Sequence, residues 1–182
     1  MKIFRLIIII LGFVCVIYAC ISDSSKYQQQ GDYGYYIDHE ICISNLIPLN
    51  VPIGTNLDSI LVNSKHKLII YVDSSNCEDC RISMALTIRG YELELKRKQK
   101  EIPFIYIFNT QDIFGLKEHL DSYGFRHYYF VDVEDRFLLD NGIQRDKRFH
   151  TFLLENNKIK AIGNPSNSSS ARKRYNEVLK IH

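Results

Sequence analysis

Cys77-Glu78-Asp79-Cys80 is the stretch of the chain with the most chemistry in it. The residues before it, LIIYV at 68–72, form a continuous apolar run rich in β-branched side chains, the pattern of a strand buried on both faces. Asp73 to Asn76 read as a loop. From Cys77 onward, apolar positions recur every three or four residues through Met84, Ala85, Ile88, Tyr91 and Leu95, which predicts a long helix. Two thiols at i and i+3 would then stand at the mouth of that helix. Free N–H groups and the positive end of the helix dipole stabilise a thiolate there, and thiol pKa values fall from about 8.5 to about 3.5–7.5 at such positions. Cys77 is expected to be the attacking, more exposed thiol. Cys80 is expected to be the buried one that resolves the mixed disulfide.

The two acids between the cysteines act against the dipole. Glu78 and Asp79 place negative charge beside a forming thiolate and disfavour it. A raised thiol pKa favours the disulfide over the dithiol, so the pair is predicted to be reducing in character, with Arg81 offsetting part of the effect. Asp73, four residues before Cys77, is a candidate proton relay; the plainer reading is a solvated loop residue or a cap.

The elements that must position these groups alternate. Further buried strands are predicted at 104–108 (FIYIF), 128–132 (YYFVD) and 151–154 (TFLL), and the last of these turns through Asn156-Asn157 into KIKAIG at 158–163 as a hairpin. Helices are predicted at 111–123, closed by Gly124, at 134–140, and at 171–181 with Tyr175, Val178 and Leu179 facing inward. The helix after Cys77 ends in Lys96, Arg97, Lys98 and Lys100, which suits the negative end of its dipole. Tyr35-Tyr36-Ile37 and Ile41-Cys42-Ile43 are strand-like, and 57–62 reads as a short helix. Alternation ending in a hairpin means an α/β domain, a central mixed sheet flanked by helices.

Composition excludes several classes. The 182 residues are 46% hydrophobic and 24% charged, too apolar for a mostly disordered chain. The formal net charge of +2 supplies no drive toward nucleic acid.

The first twenty residues read as an export signal, not as part of the domain. Lys2 and Arg5 precede Leu6 to Ala19, a run of 14 uncharged, mostly apolar residues, whereas a spanning helix needs about 17–25. Ile17-Tyr18-Ala19-Cys20 resembles a bacterial lipoprotein signal: an aliphatic residue, one open position, a small residue, then Cys. That resemblance implies cleavage after residue 19, acylation of Cys20, and anchoring to a membrane by more than one acyl chain. A simple secretory signal or a short uncleaved anchor is the other reading; each places the domain outside the cytoplasm, where disulfides persist. The expected organisation is a signal peptide at 1–19, a lipid-anchored tether and extension at 20–45, and the folded domain at 46–182. The Ser-, Gln- and Gly-rich stretch 21–34 has nothing to bury and suits a flexible tether.

Residues 66–180 resemble the thioredoxin-like fold, and specifically the envelope-anchored bacterial thiol-disulfide reductases. The resemblance rests on the CxxC after a buried strand together with the hairpin Phe152-Leu153-Leu154-Glu155-Asn156-Asn157-Lys158-Ile159. It implies exchange of a Cys77–Cys80 disulfide with envelope protein thiols, an electron donor to restore the dithiol, no cofactor, and a location on the cell envelope. The family carries a cis-proline just before the strand that opens the hairpin. Here that place holds His150, expected with a trans bond to Thr151, since a cis bond costs a non-proline residue about 2.5–4 kcal/mol. His150 becomes a candidate base or thiolate partner, against the plainer reading of a histidine that packs and hydrogen-bonds at a strand edge. The chain has no Trp, and Asn76 precedes Cys77.

Three rivals stand beside this reading. A non-catalytic thioredoxin-like module with a structural disulfide would bind a partner at the membrane. A zinc site would recruit His39-x-x-Cys42 with the CxxC; otherwise Cys42 is a buried thiol or a resolving partner. A peroxidase of the same fold would want an activating Thr and Arg around one attacking Cys, an arrangement the sequence does not show.

Overall fold

The computed structural model describes residues 33–43, 46–49, 64–73, 83 and 85–181. Two compact units divide the chain, residues 1–36 and residues 37–182. The described part of the first is a single 3-10 turn, Tyr33–Tyr36, in which the rings of Tyr35 and Tyr36 meet edge to face at 5.1 Å. The strand-like pattern expected at 35–37 is thus a turn, in keeping with the glycine at its second position. The expected short helix at 57–62, the apolar run 6–19, Cys20, and the CxxC with its helix start all lie outside the described residues.

The second unit is built on a six-stranded sheet of β1 (Ile47–Pro48), β2 (His66–Val72), β3 (Phe104–Asn109), β4 (Tyr128–Asp132), β5 (Thr151–Glu155) and β6 (Lys158–Ile162). Their order is β1-β4-β3-β2-β5-β6. β2, β3 and β4 are parallel, and the other pairings are antiparallel. The four strands predicted as continuous apolar runs, and the returning strand of the hairpin, form where expected. β3 is buried along its whole length, as an interior parallel strand must be.

Helices α1 (Arg89–Arg97), α2 (Ile113–Ser122) and α4 (Ser169–Leu179) contribute to one apolar cluster with alternate residues of the strands. Both parallel crossovers run through α1 and α2, and right-handed connections send them to the same side. Leu68, Ile70 and Val72 of β2 and Phe104, Tyr106 and Phe108 of β3 point to this side. They meet Ile88, Tyr91 and Leu95, and Leu120, Tyr175 and Leu179 of the other two helices. Ser83 and residues 85–87 are already helical ahead of α1. Two bonds hold that stretch: the Tyr106 hydroxyl donates to the Ala85 carbonyl at 3.3 Å, and Asn164 Nδ2 donates to Thr87 Oγ1 at 3.0 Å. The opposite side is covered by α3 (Phe137–Asp140) and a 3-10 turn at Lys147–Phe149.

Helix ends follow local chemistry. Asp112 caps α2 by accepting from the Gly115 N–H at 2.9 Å, and Gly124, with φ +64°, ends it. Ser168 caps α4 by accepting from the Ala171 N–H at 3.2 Å. The hairpin turn holds Asn156 and Asn157 at φ 51° and 65°, the left-handed pair that asparagine tolerates in two-residue turns.

One N-terminal segment reaches both edges of the sheet. The Asp38 N–H donates to the Ile159 carbonyl at 2.8 Å, the Ile159 N–H to His39 at 2.9 Å, and the Ile41 N–H to Asn157 at 2.9 Å, so residues 38–41 lie along β6. Lys160 pairs with Asp38 there. Cys42 is next clasped by Asn141, whose Oδ1 accepts from the Cys42 N–H at 2.7 Å while its Nδ2 donates to the Cys42 carbonyl at 2.8 Å. β1 follows and pairs with β4 at the far edge. Pro48, which cannot donate to a ladder, is tolerated on an edge strand of this kind.

Candidate functional site

The carboxyl ends of β2, β3 and β4 share one edge of the sheet, and the chain that carries Cys77 and Cys80 leaves β2 from that edge. Because β5 is antiparallel to β2, its first residue lies there too, with Thr151 opposite Ile70. His150 therefore sits beside the end of β2. The Tyr71 N–H donates to the His150 carbonyl at 2.8 Å, extending the ladder by one residue. No cis peptide bond occurs among the described residues, so the bond into Thr151 is trans.

The His150 side chain is only 2% exposed. Its ring packs edge to face on Tyr71 at 5.1 Å. Among the described residues, the one polar group close enough to act on the ring as a hydrogen-bond partner is the Gln144 backbone. Burial lowers the His150 pKa below its ordinary value, against the opposing pull of Asp73, the Gln144 backbone and Asp146. A ring this buried, with so little hydrogen bonding from the described residues, is costly to fold, which marks it as a group held for chemistry or for a partner.

Tyr71 joins His150 to a carboxylate cluster. Its ring stacks on Phe137 at 5.6 Å, and its hydroxyl donates to Asp135 Oδ1 at 3.1 Å. Asp135 Oδ2 is paired with Arg145. Burial first, then the charges of Asp135 and Asp132, push the Tyr71 phenol far above its usual range, so it stays a proton donor. Asp132 is 1% exposed at the end of β4, and its two oxygens accept from the Arg136 and Phe137 N–H groups at 2.9 and 3.0 Å. That bond pair fixes the start of α3 and thereby the Phe137 ring under Tyr71. Asp73 is buried, not the solvated loop residue of the plainer reading, and its charge acts on His150, Tyr71 and Arg145.

His150 and Asp73 are thus brought together at the edge from which the CxxC segment departs; Cys77 and Cys80 themselves lie outside the described residues. Tyr71, Asp132, Asp135 and Arg145 were not singled out from the sequence. The one available signal was a tyrosine inside an otherwise aliphatic strand. Cys42 is exposed, which corrects the expectation of a buried thiol, because the Asn141 clasp holds its backbone at the surface. Among the described residues no group of three or more His, Cys, Asp or Glu is placed to hold a metal, and no helix is long and apolar enough to cross a membrane.

Among solved structures, the chain is similar to a domain of a possible thiol-disulfide isomerase from Cytophaga hutchinsonii. The two align with a TM-score of 0.50 at 13% identity, over 80% of this chain and 97% of that one. The fold is thioredoxin-like. At that identity the likeness establishes the thioredoxin-like architecture and nothing finer. No protein-family model matches the chain, and none of the curated proteins does.

Proposed function

We propose that this chain is a membrane-anchored thiol-disulfide oxidoreductase of the cell envelope, exchanging a Cys77–Cys80 disulfide with protein thiols and reducing in character. The observation that carries the reading is His150: a buried imidazole, sparsely hydrogen-bonded among the described residues, beside the strand end that leads to the CxxC, on a thioredoxin-like frame. In the reducing direction the Cys77 thiolate attacks a client disulfide, forming a mixed disulfide and releasing one client thiolate. The Cys80 thiolate then attacks Cys77 Sγ, releasing the second client thiol and leaving Cys77–Cys80 oxidised. Two electrons have passed to the client, and a donor dithiol returns the pair to its starting state. His150 would take up the proton that a cysteine loses on becoming a thiolate, with Asp73 as its counter-charge. Cys20 would carry the lipid anchor.

Thiol trapping with the full-length chain tests this. The Cys80→Ser variant is expected to accumulate a mixed disulfide through Cys77, the Cys77→Ser variant to form none, and the wild-type pair to titrate at or below the glutathione potential. Absence of exchange at every potential would leave the second reading, a non-catalytic display module with a structural disulfide. The lack of any Trp in the chain favours that module. A potential well above glutathione's would overturn the reducing character.

A further inference from the structure

The α1 and α4 side of the domain carries an excess of basic side chains. Residues 83–101 hold five basic and three acidic side chains, and residues 164–181 hold four basic and one acidic. The two helices are neighbours. The Tyr91 hydroxyl donates to Asn176 Oδ1 at 3.0 Å, and Arg172 pairs with Glu94 at 3.7 Å, so these charges form one surface. Glu92 is already engaged by Lys96 at 2.8 Å. On the opposite side of the sheet, segment 132–148, which holds α3 and the 3-10 turn, is near balance, with five acidic and four basic residues.

Helix electrostatics accounts for only half of this. Lys96 and Arg97 complement the negative end of α1. Arg172 and Lys173 lie in the N-terminal half of α4, where the dipole offers positive charge no favour. A cleft of about 840 Å³ runs along α4, where Arg172, Lys173 and Lys180 outnumber the one acidic residue of its lining, Glu177. Leu86, just ahead of α1, and Leu93 on it are 38% and 50% exposed, and Leu93 shares a shallow depression with Lys96 and Arg97. Exposed leucines framed by basic side chains match an interfacial lipid surface, apolar just below a layer of phosphates.

We propose that the α1–α4 face docks on the anionic lipid surface to which the N-terminal anchor ties the domain. This rests on the anchored reading given above, and on charge complementarity for the choice of occupant. Docking there would hold one face of the sheet against the membrane and leave the α3 side in solvent. The attraction acts within a Debye length and weakens with salt.

The test uses the full-length chain reconstituted into vesicles of phosphatidylcholine alone or of phosphatidylcholine with phosphatidylglycerol. Amine labelling of Lys100, Lys173 and Lys180 is followed at low and high salt, with Lys158 as the reference on β6. Labelling of the three is expected to slow several-fold on the anionic vesicles only, and to recover in high salt or when two other basic residues of the face are reversed (Arg97→Glu, Lys98→Glu), which leaves the three amines in place. Equal labelling on both vesicle types overturns the proposal. Slowing by a soluble acidic polypeptide but not by vesicles overturns it in favour of a protein partner. Release of the whole chain from anionic vesicles by salt supports the docking face while removing the anchor. A Cys77→Ser, Cys80→Ser chain is expected to dock as wild type does, which separates this outcome from failure of the redox reading.

Discussion

Phe108 and Tyr71 lie on neighbouring strands, one register step apart, and face opposite sides of the sheet. Phe108 is surrounded by Tyr106, Phe125 and Tyr129 at ring distances of 6.3, 6.2 and 5.9 Å. Tyr71 touches one phenyl ring, a buried imidazole and a carboxylate. Both aromatic side chains are fully buried. The difference is in what burial achieves. Around Phe108 it removes apolar surface from water and fixes the frame. Around Tyr71 it desolvates groups that would be more stable wet, which is tolerable only because the first side supplies the stability.

Substitutions can break this contrast. The largest effect is expected from Phe108→Ala, about 3–5 kcal/mol of lost stability by denaturant titration, with thiol exchange of the folded fraction unchanged. Asp132→Ala is next. It leaves the buried Phe137 N–H without its acceptor, at a cost of about 1–3 kcal/mol, and loosens α3 under Tyr71, so exchange should change along with stability. A fall in stability with no change in exchange would mean that the α3 side has no part in the chemistry.

The smallest and most discriminating effect is from His150→Leu. Burial holds the folded-state pKa of His150 below its ordinary value, so the unfolded ring takes up a proton first as pH falls through about 6.5. The neutral ring's stability is therefore fully present above that pH and is lost below it, until the folded pKa is reached. His127, lowered mainly by burial beside Glu92, acts in the same direction. Replacing His150 by Leu should leave neutral-pH stability unchanged or raise it by about 1 kcal/mol, flatten the stability profile just below about pH 6.5 to the part due to His127, and slow thiol exchange while the cysteines' own titration keeps it pH dependent. A profile with unaltered slope would show that His150 is already satisfied by a group close to it.

How much of this was legible depended on how local the cause was. Strands β2 to β5 were readable because a continuous apolar run buried on both faces needs no knowledge of its partner, and β6 followed from the turn that leads into it. The Asn156-Asn157 turn was readable because asparagine tolerates positive φ. β1 was not, since two residues ending in proline carry no periodicity and pair only once β4 exists. The helix expected at 134–140 shrank to four residues. Asp135 takes φ +55°, and Asp132 claims the N–H groups of Arg136 and Phe137, so the helix cannot begin earlier. Asp73 reads as solvated within a DSSN loop; its burial is set by packing at the strand end. The position of His150 was legible through the hairpin that follows it, whereas the Tyr71–Asp135–Arg145 link depends on contacts between residues far apart in sequence.

The segment that runs from β6 past Asn141 to β4 has a practical consequence. Open sheet borders recruit further strands, and here the same dozen residues seal both of them. A chain shortened to begin at residue 46 would uncover the β6 border, and one shortened to residue 50 would uncover both, turning a self-contained unit into one able to pair with its own copies.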